Sequence, residues 1–134
     1  MRRKLPHEGV YTRIARSKIH GVGLLAIRRI PKGTYIFPGD DEHLVWIQTG
    51  KLKGLRRELK KLYEDFCIKK RGLYGCPSNF NRMTEAWYLN HSAKPNVASD
   101  KSYRFYAVRD IRKNEELTVD YRTYSELQGR HLTG

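Results

Sequence analysis

An eleven-residue pattern occurs twice in this chain, at positions 26–36 and again at positions 107–117. Both copies read Ala, a β-branched residue, Arg, any residue, Ile, any residue, Lys and then Gly33 or Asn114, with an aliphatic residue three positions later. Gly and Asn are the residue types that tolerate a positive φ most readily. Each copy therefore predicts a strand, a tight turn and a returning strand. Two such hairpin-like units favour a fold of several small sheets over one long sheet.

Other segments show the alternation that is typical of strands. Residues 9–17 alternate with a period of two, and one of the two faces carries Val10, Thr12 and Ile14. Further β-prone stretches are 20–27, 34–37 and 102–108. The predicted fold class is therefore mainly β, with β structure plus short helices.

The middle of the chain has a helical periodicity. Six apolar residues recur on one face of a helix, with Lys and Arg on the other face: Leu52, Leu55, Leu59, Leu62, Tyr63 and Phe66. Gly54 weakens the first turn of this predicted helix. A second, short helix is predicted over residues 77–89, with Ser78 or Asn79 as its N-cap.

The length of 134 residues fits one domain, residues 1–134. A chain of this size buries roughly two thirds of the surface that its unfolded form exposes, so it can fold alone. We expect a core over about residues 12–121, a helical insert over about residues 41–80 and a C-terminal tail over residues 122–134. Inserts of this kind often help to shape a substrate site.

The chain carries a formal net charge of +13, with a sequence pI near 10.0. Such a field attracts anions, including nucleic acid, acidic proteins and anionic cofactors. The basic residues do not form one tail, because they recur in three clusters: Arg2–Lys4, Lys51–Lys61 and Lys69–Arg71. Two interpretations remain open, namely a solvated, solubilising face and weak, salt-sensitive contact with nucleic acid.

The two cysteines, Cys67 and Cys76, bear on compartment and on metal binding. The charged N-terminus lacks the apolar segment of a signal peptide, so we expect free thiols in a reducing, cytoplasmic location. The sequence has no CxxC and no pair of histidines at ligand spacing, so no metal site is expected. No apolar run approaches the roughly 20 residues that span a membrane, so no membrane partner is expected.

Three separated stretches place polar residues against apolar runs: residues 20–26, 88–96 and 115–121. In the first stretch, Gly21 and Gly23 flank Val22, and two glycines at this spacing let a ligand approach the backbone closely. A bulge or a tight turn explains the same pair without a ligand. The pattern is not that of a dinucleotide site, because no third glycine opens a helix.

The second and third stretches hold the polar candidates for a site. Asn90 follows an apolar run, and a buried amide needs a partner because leaving it unpaired costs about 1–3 kcal/mol. His91 is either a ligand-facing imidazole or a core histidine with its own partners. Tyr121 either packs at a strand end or orients an amine through its hydroxyl. No nucleophile with a His and an acid partner stands out, so a hydrolase triad is not predicted.

Taken together and in this order, the three stretches resemble the SET domain of protein lysine methyltransferases. Gly21-x-Gly23 matches the family's first glycine motif. Residues 90–96 match its Asn-His-Ser-x-x-Pro-Asn motif, and residues 116–121 match its Glu-Leu-x-x-Asp-Tyr motif. The resemblance runs from about Thr12 to Tyr121, which is nearly the whole chain.

The resemblance implies a SET-domain fold of several small sheets with a knot-like C-terminal crossing and a helical insert. In this crossing the Asn-His-Ser segment is threaded against the Asp-Tyr segment, which forms the pocket for the cofactor S-adenosylmethionine. The implied cofactor contacts are Gly21, Val22, Gly23, Asn90, His91 and Tyr121. The glycine backbone and Asn90 would meet the methionine part, and the His91 backbone would meet the adenine. Tyr121, the implied catalytic residue, would stand where the methyl group meets the lysine.

Some positions depart from the family pattern and bear on the substrate channel. Phe37 falls where the family often has a tyrosine near the cofactor or the lysine channel, and residues 87–89 replace its usual Arg-Phe. No Cys-rich segment follows Tyr121, so no zinc-bound tail is expected to close the site, and Tyr124 could supply an aromatic lid instead. The expected channel residues are Phe37, Tyr88 and Tyr124.

The implied activity is methyl transfer from S-adenosylmethionine to the side-chain amine of lysine in a protein substrate. Alternatives stay open: a small-molecule amine as substrate, or a catalytically idle basic module that binds nucleic acid or protein. The net charge of +13 should repel a basic histone-like protein unless acidic surface is local. An acidic partner, or a basic protein already bound to nucleic acid, is easier to accommodate. A homodimer is one way to complete the walls of the site.

Overall fold

Two β-sheets and short helical segments make up the part of the chain that the computed structural model describes, which is residue 5, residues 7–40 and residues 42–126. The strands are β1 (Thr12–Arg16), β2 (Val22–Ala26), β3 (Val45–Gln48), β4 (Ile68–Lys70), β5 (Leu73–Cys76), β6 (Asn90–His91), β7 (Val97–Ser99), β8 (Phe105–Ala107) and β9 (Glu116–Val119). The helical segments are α1 (Arg57–Phe66) and the 3₁₀ turns Thr49–Leu52, Phe80–Arg82, Glu85–Tyr88 and Tyr121–Thr123. The expected mainly β fold is confirmed.

The two copies of the repeated pattern pair with each other at the centre of the fold. Ile30 and Ile111 exchange both backbone hydrogen bonds, at 2.9 and 2.8 Å, and both side chains are fully buried. Backbone hydrogen bonds also join the two copies on either side of this pair. Ala26 N–H donates to the Glu115 carbonyl at 3.0 Å, and Ala107 N–H donates to the Thr34 carbonyl at 2.9 Å. The repeat therefore forms a self-complementary ladder in the core.

Gly33 and Asn114 occupy equivalent turns in the two copies, with φ values of +88° and +71°. The positive φ expected from these residue types is confirmed. The expected hairpin within each copy is wrong, because the backbone groups on either side of the turn bond to the other copy. Gly33 N–H donates to the Ala107 carbonyl, and Asn114 N–H donates to the Ala26 carbonyl, both at 2.8 Å.

Strand β9 lies inside the larger sheet and receives partners on both edges. It pairs antiparallel with β2, and it pairs parallel with β6 and β7. Asn90 lies opposite Thr118 in the β6–β9 pair. The Asn96 side chain adds two bonds, since its Nδ2 donates to the Glu116 carbonyl and its Oδ1 accepts from the Thr118 N–H, both at 2.8 Å. The Asn-His-Ser segment therefore lies directly beside the C-terminal strand, as expected.

Two apolar clusters support these sheets. The first lies under the larger sheet and contains Leu24, Ala26, Ile30, Ile36, Leu89, Val97, Ala107, Ile111, Leu117, Val119 and Tyr121. The second lies under α1 and the smaller sheet and contains Cys67, Tyr74 and Cys76. Both clusters reach the candidate site, because Leu89, Tyr121 and Cys67 line the cavity described below.

The helices are shorter than their periodicity predicts. The long helix begins only at Arg57, because Gly54 takes a φ of +82° and separates α1 from the 3₁₀ turn Thr49–Leu52. Leu59, a member of the predicted apolar stripe, remains 44% exposed. The predicted helix over residues 77–89 is instead two 3₁₀ turns, the first of them capped by Asn79. Across residues 5, 7–40 and 42–126, no helix combines the length and apolar character needed to cross a membrane.

Candidate active site

Three polar side chains meet where β6 and β9 approach the turn between β1 and β2. We call Ser17, Asn90 and Glu116 the polar cluster. Asn90 is only 2% exposed, and its Nδ2 lies within 3.0–3.1 Å of four acceptors: Ser17 Oγ, the His20 carbonyl, the Val22 carbonyl and Glu116 Oε2. The Ser17 hydroxyl donates to the Glu116 carboxylate at 2.8 Å. The polar cluster therefore fastens the glycine turn to the two central strands.

Gly21 and Gly23 of the first motif are glycines for different physical reasons. A Cβ on Gly23 would lie 2.5 Å from Glu116 Oε2 and 2.9 Å from Asn90 Nδ2, so the polar cluster requires a glycine there. Gly21 has open space around it but takes a φ of +51°. This positive φ agrees with the interpretation of Gly21 as part of a tight turn. Val22 has an exposed side chain and contributes its carbonyl to Asn90. The group that approaches Gly23 closely is therefore a side chain of the protein itself.

The orientation of the Asn90 amide bears on whether these residues fit S-adenosylmethionine. Carbonyl and carboxylate oxygens can only accept, so the amide nitrogen must face them and Oδ1 must face away. Within the described part of the chain, no donor reaches Asn90 Oδ1, although the residue is buried. An unmet buried acceptor costs about 1–3 kcal/mol. The ammonium of the cofactor's methionine part is a donor that would satisfy it, so the residues present fit this group.

His91 links the motif of β6 to Tyr121. Its Nδ1 accepts from the Tyr121 backbone N–H at 3.1 Å, so the neutral ring carries its hydrogen on Nε2. Asp120 Oδ1 lies 3.7 Å from the same nitrogen. This contact is an ion pair only if the ring is protonated. The imidazole side chain therefore has partners within the chain. The contact of the His91 backbone with adenine stays a prediction.

Asp120 precedes Tyr121 and caps the 3₁₀ turn Tyr121–Thr123. Its carboxylate accepts from the Arg122 backbone N–H at 3.0 Å and from the Arg122 guanidinium at 2.7 and 2.9 Å. The hydrogen bond from the Arg122 side chain is the main reason that the pKa of Asp120 lies below its ordinary value. Asp120 is therefore a stable anion that fixes the start of the turn, and with it the Tyr121 backbone.

Tyr121 lies between the polar motif residues and a cavity. Its side chain is 5% exposed, and its hydroxyl donates to the Leu89 carbonyl. One side of the ring faces His91, with centroids 5.2 Å apart, and Tyr124 packs edge-on at 6.3 Å. Among the expected cofactor contacts, only Tyr121 lines the cavity within the described residues. Among the described residues that are expected to contact the cofactor, it is therefore the one that also reaches the cavity.

The cavity beside Tyr121 has a volume of about 340 Å³ and largely aromatic walls. Its aromatic lining residues are Trp46, Phe66, Trp87, Tyr103, Phe105, Tyr121 and Tyr124. No Lys or Arg lines the cavity among the described residues, and the carboxylate of Glu42 is its acidic group. A cationic or neutral amine on a long apolar stem suits such walls, because aromatic faces attract cations and bury methylenes.

Glu42 is held firmly at the cavity wall. Its Oε2 accepts from Trp87 Nε1 at 2.9 Å and from the Thr84 hydroxyl at 3.2 Å, and its Oε1 accepts from the Ser78 N–H at 3.3 Å. No sequence pattern pointed to this residue, because Glu42 lies in an irregular stretch without periodicity. The sequence reasoning also missed Ser17, although a hydroxyl shortly before a glycine turn is a recognisable turn signal.

The three expected channel residues have different positions. Tyr124 lines the cavity and packs edge-on against Phe105, with centroids 5.8 Å apart. Phe37 contacts the other edge of the same aromatic cluster, 6.3 Å from Phe105, and Tyr88 contacts Phe66 at 6.0 Å. Neither Phe37 nor Tyr88 lines the cavity itself among the described residues. Their roles in a channel stay predictions.

The geometry described above belongs to a known family. Residues 21–122 match the model of the SET domain family, described as "SET domain". This match covers most of the chain and includes all three sequence motifs. The chain therefore belongs to the SET domain family.

Curated proteins similar to this chain are histone-lysine N-methyltransferases. The Drosophila melanogaster protein trr is 34% identical over 123 residues, which cover 81% of this chain and 5% of that protein. The H3 lysine-4 specific protein of Chaetomium globosum is 31% identical over 135 residues, covering 86% of this chain and 11% of that protein. The human protein 2D is 34% identical over 122 residues, covering 81% of this chain and 2% of that protein. The chain thus spans about a tenth or less of the length of these relatives.

Solved structures agree on the fold. A candidate histone methyltransferase of Plasmodium falciparum superposes with a TM-score of 0.53 at 21% identity, covering 84% of this chain and 93% of that chain. A humanized mutant of the Chaetomium thermophilum Polycomb Repressive Complex 2, bound to an inhibitor, gives a TM-score of 0.58 at 21% identity. That match covers 87% of this chain and 15% of the other. At this identity the likeness supports the fold alone.

Proposed function

We propose that this protein is a protein-lysine N-methyltransferase that transfers a methyl group from S-adenosylmethionine to the side-chain amine of lysine. One observation carries the proposal: Tyr121 joins the motif segment of Asn90 and His91 to an aromatic cavity without Lys or Arg among its described residues. Membership of the SET domain family and similarity to histone-lysine N-methyltransferases support the same activity. The cavity supports this substrate class, because it suits a long apolar stem that ends in an amine.

Binding of the two reactants divides between the two sides of Tyr121. When bound, S-adenosylmethionine supplies an already activated methyl group on a positively charged sulfur. Asn90 Oδ1 would accept from its ammonium, and the turn at Gly21 and Gly23 would lie against the methionine part. The cavity on the other side of Tyr121 would hold the lysine side chain. The protein then contributes position and exclusion of water more than covalent chemistry.

The lysine must lose its proton before it can attack. A free lysine has a pKa near 10.4, so deprotonation at pH 7 costs about 4.6 kcal/mol. The aromatic walls remove water from the amine, and the cofactor's positive charge repels the ammonium, so both effects lower the pKa of the bound lysine. Glu42 favours the charged form, so it assists the entry of the cation more than its deprotonation.

Tyr121 would orient the amine for attack. A phenol oxygen can accept a hydrogen bond while its own hydrogen is donated, here to the Leu89 carbonyl. An amine N–H bound at this oxygen would point its lone pair away from the phenol. The short turn that follows Asp120 and the contact with His91 fix the ring in place. Fixed geometry of this kind accounts for much of the rate enhancement of a displacement reaction.

Transfer of a radiolabelled methyl group tests the proposal directly. The protein is incubated with labelled S-adenosylmethionine and with histones or a cell lysate, and labelled proteins are identified by mass spectrometry. We expect label on lysine, and we expect Tyr121→Phe to lower turnover by roughly tenfold to a hundredfold while cofactor affinity changes little. Tyr35→Phe is the matched control, since Tyr35 is an exposed tyrosine outside the cavity. Full activity of Tyr121→Phe would refute the assignment of Tyr121.

The charge of +13 supports a second candidate function, that of a catalytically idle module which binds nucleic acid or protein. Exposed basic residues such as Arg57 and Lys61 on α1 would contribute to that surface. Calorimetric titration with S-adenosylmethionine separates the two functions. Absence of binding at high micromolar cofactor, together with salt-sensitive binding to duplex DNA, would favour the idle module.

A further inference from the structure

Ser17 and Glu116 belong to the polar cluster, but the proposed reaction gives them no role. We propose that both are positioning residues, which orient the Asn90 amide so that its Oδ1 faces the ammonium of the cofactor's methionine part. The inference rests on the proposed function, because it concerns the cofactor of that reaction. Neither residue has to touch the cofactor in this role.

Ser17 is a junction of hydrogen bonds within the turn. Its single hydroxyl hydrogen goes to the Glu116 carboxylate at 2.8 Å, because a carboxylate can only accept. Its oxygen then accepts from Asn90 Nδ2 at 3.1 Å, and from the backbone N–H groups of Ile19 and His20 at 2.9 and 3.1 Å. The two backbone bonds hold the hydroxyl in place, so the Asn90 nitrogen meets an acceptor at a fixed position.

Glu116 is the charged member of the group of acceptors that selects which end of the amide faces the polar cluster. Its Oε2 accepts from Asn90 Nδ2 at 3.0 Å. The two ends of an amide are nearly equal in size, so packing alone does not select one of them. In the reverse orientation, Asn90 Oδ1 would face a negative carboxylate and the carbonyls of His20 and Val22, none of which can donate. The charge and position of Glu116, together with the two carbonyls, therefore point Asn90 Oδ1 away from the polar cluster.

The distribution of partners around Asn90 distinguishes this arrangement from a network that is only structural. Buried polar side chains usually have partners for most of their atoms. Here four acceptors surround the amide nitrogen, while no described residue donates to the oxygen. An ammonium is a charged donor, and its hydrogen bond to a fixed amide oxygen is stronger than a neutral one. The arrangement is therefore prepared for a cationic donor from outside the chain.

Two related ligands test the inference by calorimetry: S-adenosylhomocysteine and an analogue of it that lacks the α-amino group. We expect the wild-type protein to bind S-adenosylhomocysteine at least about tenfold more tightly than the analogue. Glu116→Gln and Ser17→Ala should each lower the affinity for S-adenosylhomocysteine by roughly tenfold. The preference for S-adenosylhomocysteine over the analogue should then fall below about threefold. Ser17→Thr keeps the hydroxyl and should restore the preference. Glu58→Gln and Ser78→Ala are matched surface controls.

Each outcome has a distinct meaning. An equal loss for both ligands would make Ser17 and Glu116 merely structural, and an unchanged preference in both variants would also overturn the inference. A wild-type protein that binds neither ligand would refute the proposed function instead. Thermal unfolding without ligand shows whether each variant is folded. If Glu116→Gln does not fold, the comparison of Ser17→Ala with Ser17→Thr decides the question.

Discussion

Replacement of Gly23 by alanine probes the polar cluster at its tightest point. The new Cβ would lie 2.5 Å from Glu116 Oε2 and 2.9 Å from Asn90 Nδ2, roughly 1 Å closer than an ordinary contact. Glu116 cannot swing aside without losing its bonds to Ser17 and Asn90. Overpacking of this kind costs about 1–3 kcal/mol, and each lost hydrogen bond costs about 0.5–1.5 kcal/mol more. We therefore expect the free energy of unfolding to fall by about 2–6 kcal/mol.

Alanine variants of Gly50 and Gly21 serve as comparisons for the destabilisation caused by Gly23→Ala. A Cβ on Gly50 would meet no described atom within 4 Å, and Gly50 has no positive φ, so Gly50→Ala should change the free energy of unfolding by less than about 1 kcal/mol. Gly21 also has open space, but its φ of +51° should cost Gly21→Ala about 1–2 kcal/mol. Urea denaturation of the three variants measures the series, with equal slopes confirming comparable unfolding transitions.

The expected order of destabilisation is Gly23, then Gly21, then Gly50. Gly23→Ala should also lower the affinity for S-adenosylhomocysteine, because the displaced Asn90 amide loses its fixed orientation. If Gly23→Ala unfolds at the same urea concentration as Gly50→Ala, the close approach of Asn90 and Glu116 to β2 is wrong. If Gly23→Ala is destabilised but binds the ligand like the wild type, Asn90 is not the ligand's contact.

Three further predictions concern pH and thiol chemistry. The methyl-transfer rate should climb between about pH 7 and pH 9 as the bound lysine loses its proton, and a flat profile would contradict rate-limiting deprotonation. The Lys32 backbone N–H, and then the Arg29 guanidinium, hold the pKa of Asp110 below its ordinary value of 3.8, so its stabilising effect is present above that pH and is lost as the pH falls through the lowered folded value. Asp110→Asn should therefore lower the unfolding temperature more at pH 7 than at about pH 2, and an equal difference at both pH values would refute this linkage. Hydrogen bonding with the Cys76 thiol, together with burial, raises the pKa of Cys67, and the same hydrogen bond lowers the pKa of Cys76. Both side chains are buried, with 0% and 1% exposure, so an aromatic disulfide reagent should label neither cysteine until urea unfolds the protein. Rapid labelling of either cysteine in the native protein would contradict this last prediction.

The sequence predicted the features that follow from local backbone preference and from motif order. The pattern at 26–36 and 107–117 carries its own turn residues, so the positive φ at Gly33 and Asn114 could be read directly. Alternation over residues 9–17 predicted a strand where β1 lies, but only Thr12 of the expected face is buried, because Val10 and Ile14 remain 46% and 43% exposed. The motif at 90–96 predicted the contact with β9, because family resemblance carries information about distant segments.

The features that the sequence did not predict depend on partners far along the chain. Nothing local tells Ile30 to pair with Ile111, so the two copies were predicted to fold back on themselves. The smaller sheet joins β3 to β5 across the whole of α1, and three short strands carry too little periodicity to be recognised. The role of Glu42 likewise depends on Ser78, Thr84 and Trp87, which approach it in space.

The net charge of the chain and the charge of its cavity act on different length scales. At physiological ionic strength the field of exposed charges decays over about 8 Å, so the total of +13 governs encounter more than binding. Inside the cavity, the described lining residues include Glu42 and no Lys or Arg, and the aromatic walls attract a cation at short range. In the proposed reaction, a lysine side chain that reaches the cavity would therefore enter an environment of favourable sign, although the net charge of the chain repels a basic partner. Under this proposal, the surface charge would govern how a substrate arrives, while the cavity would select which side chain reacts.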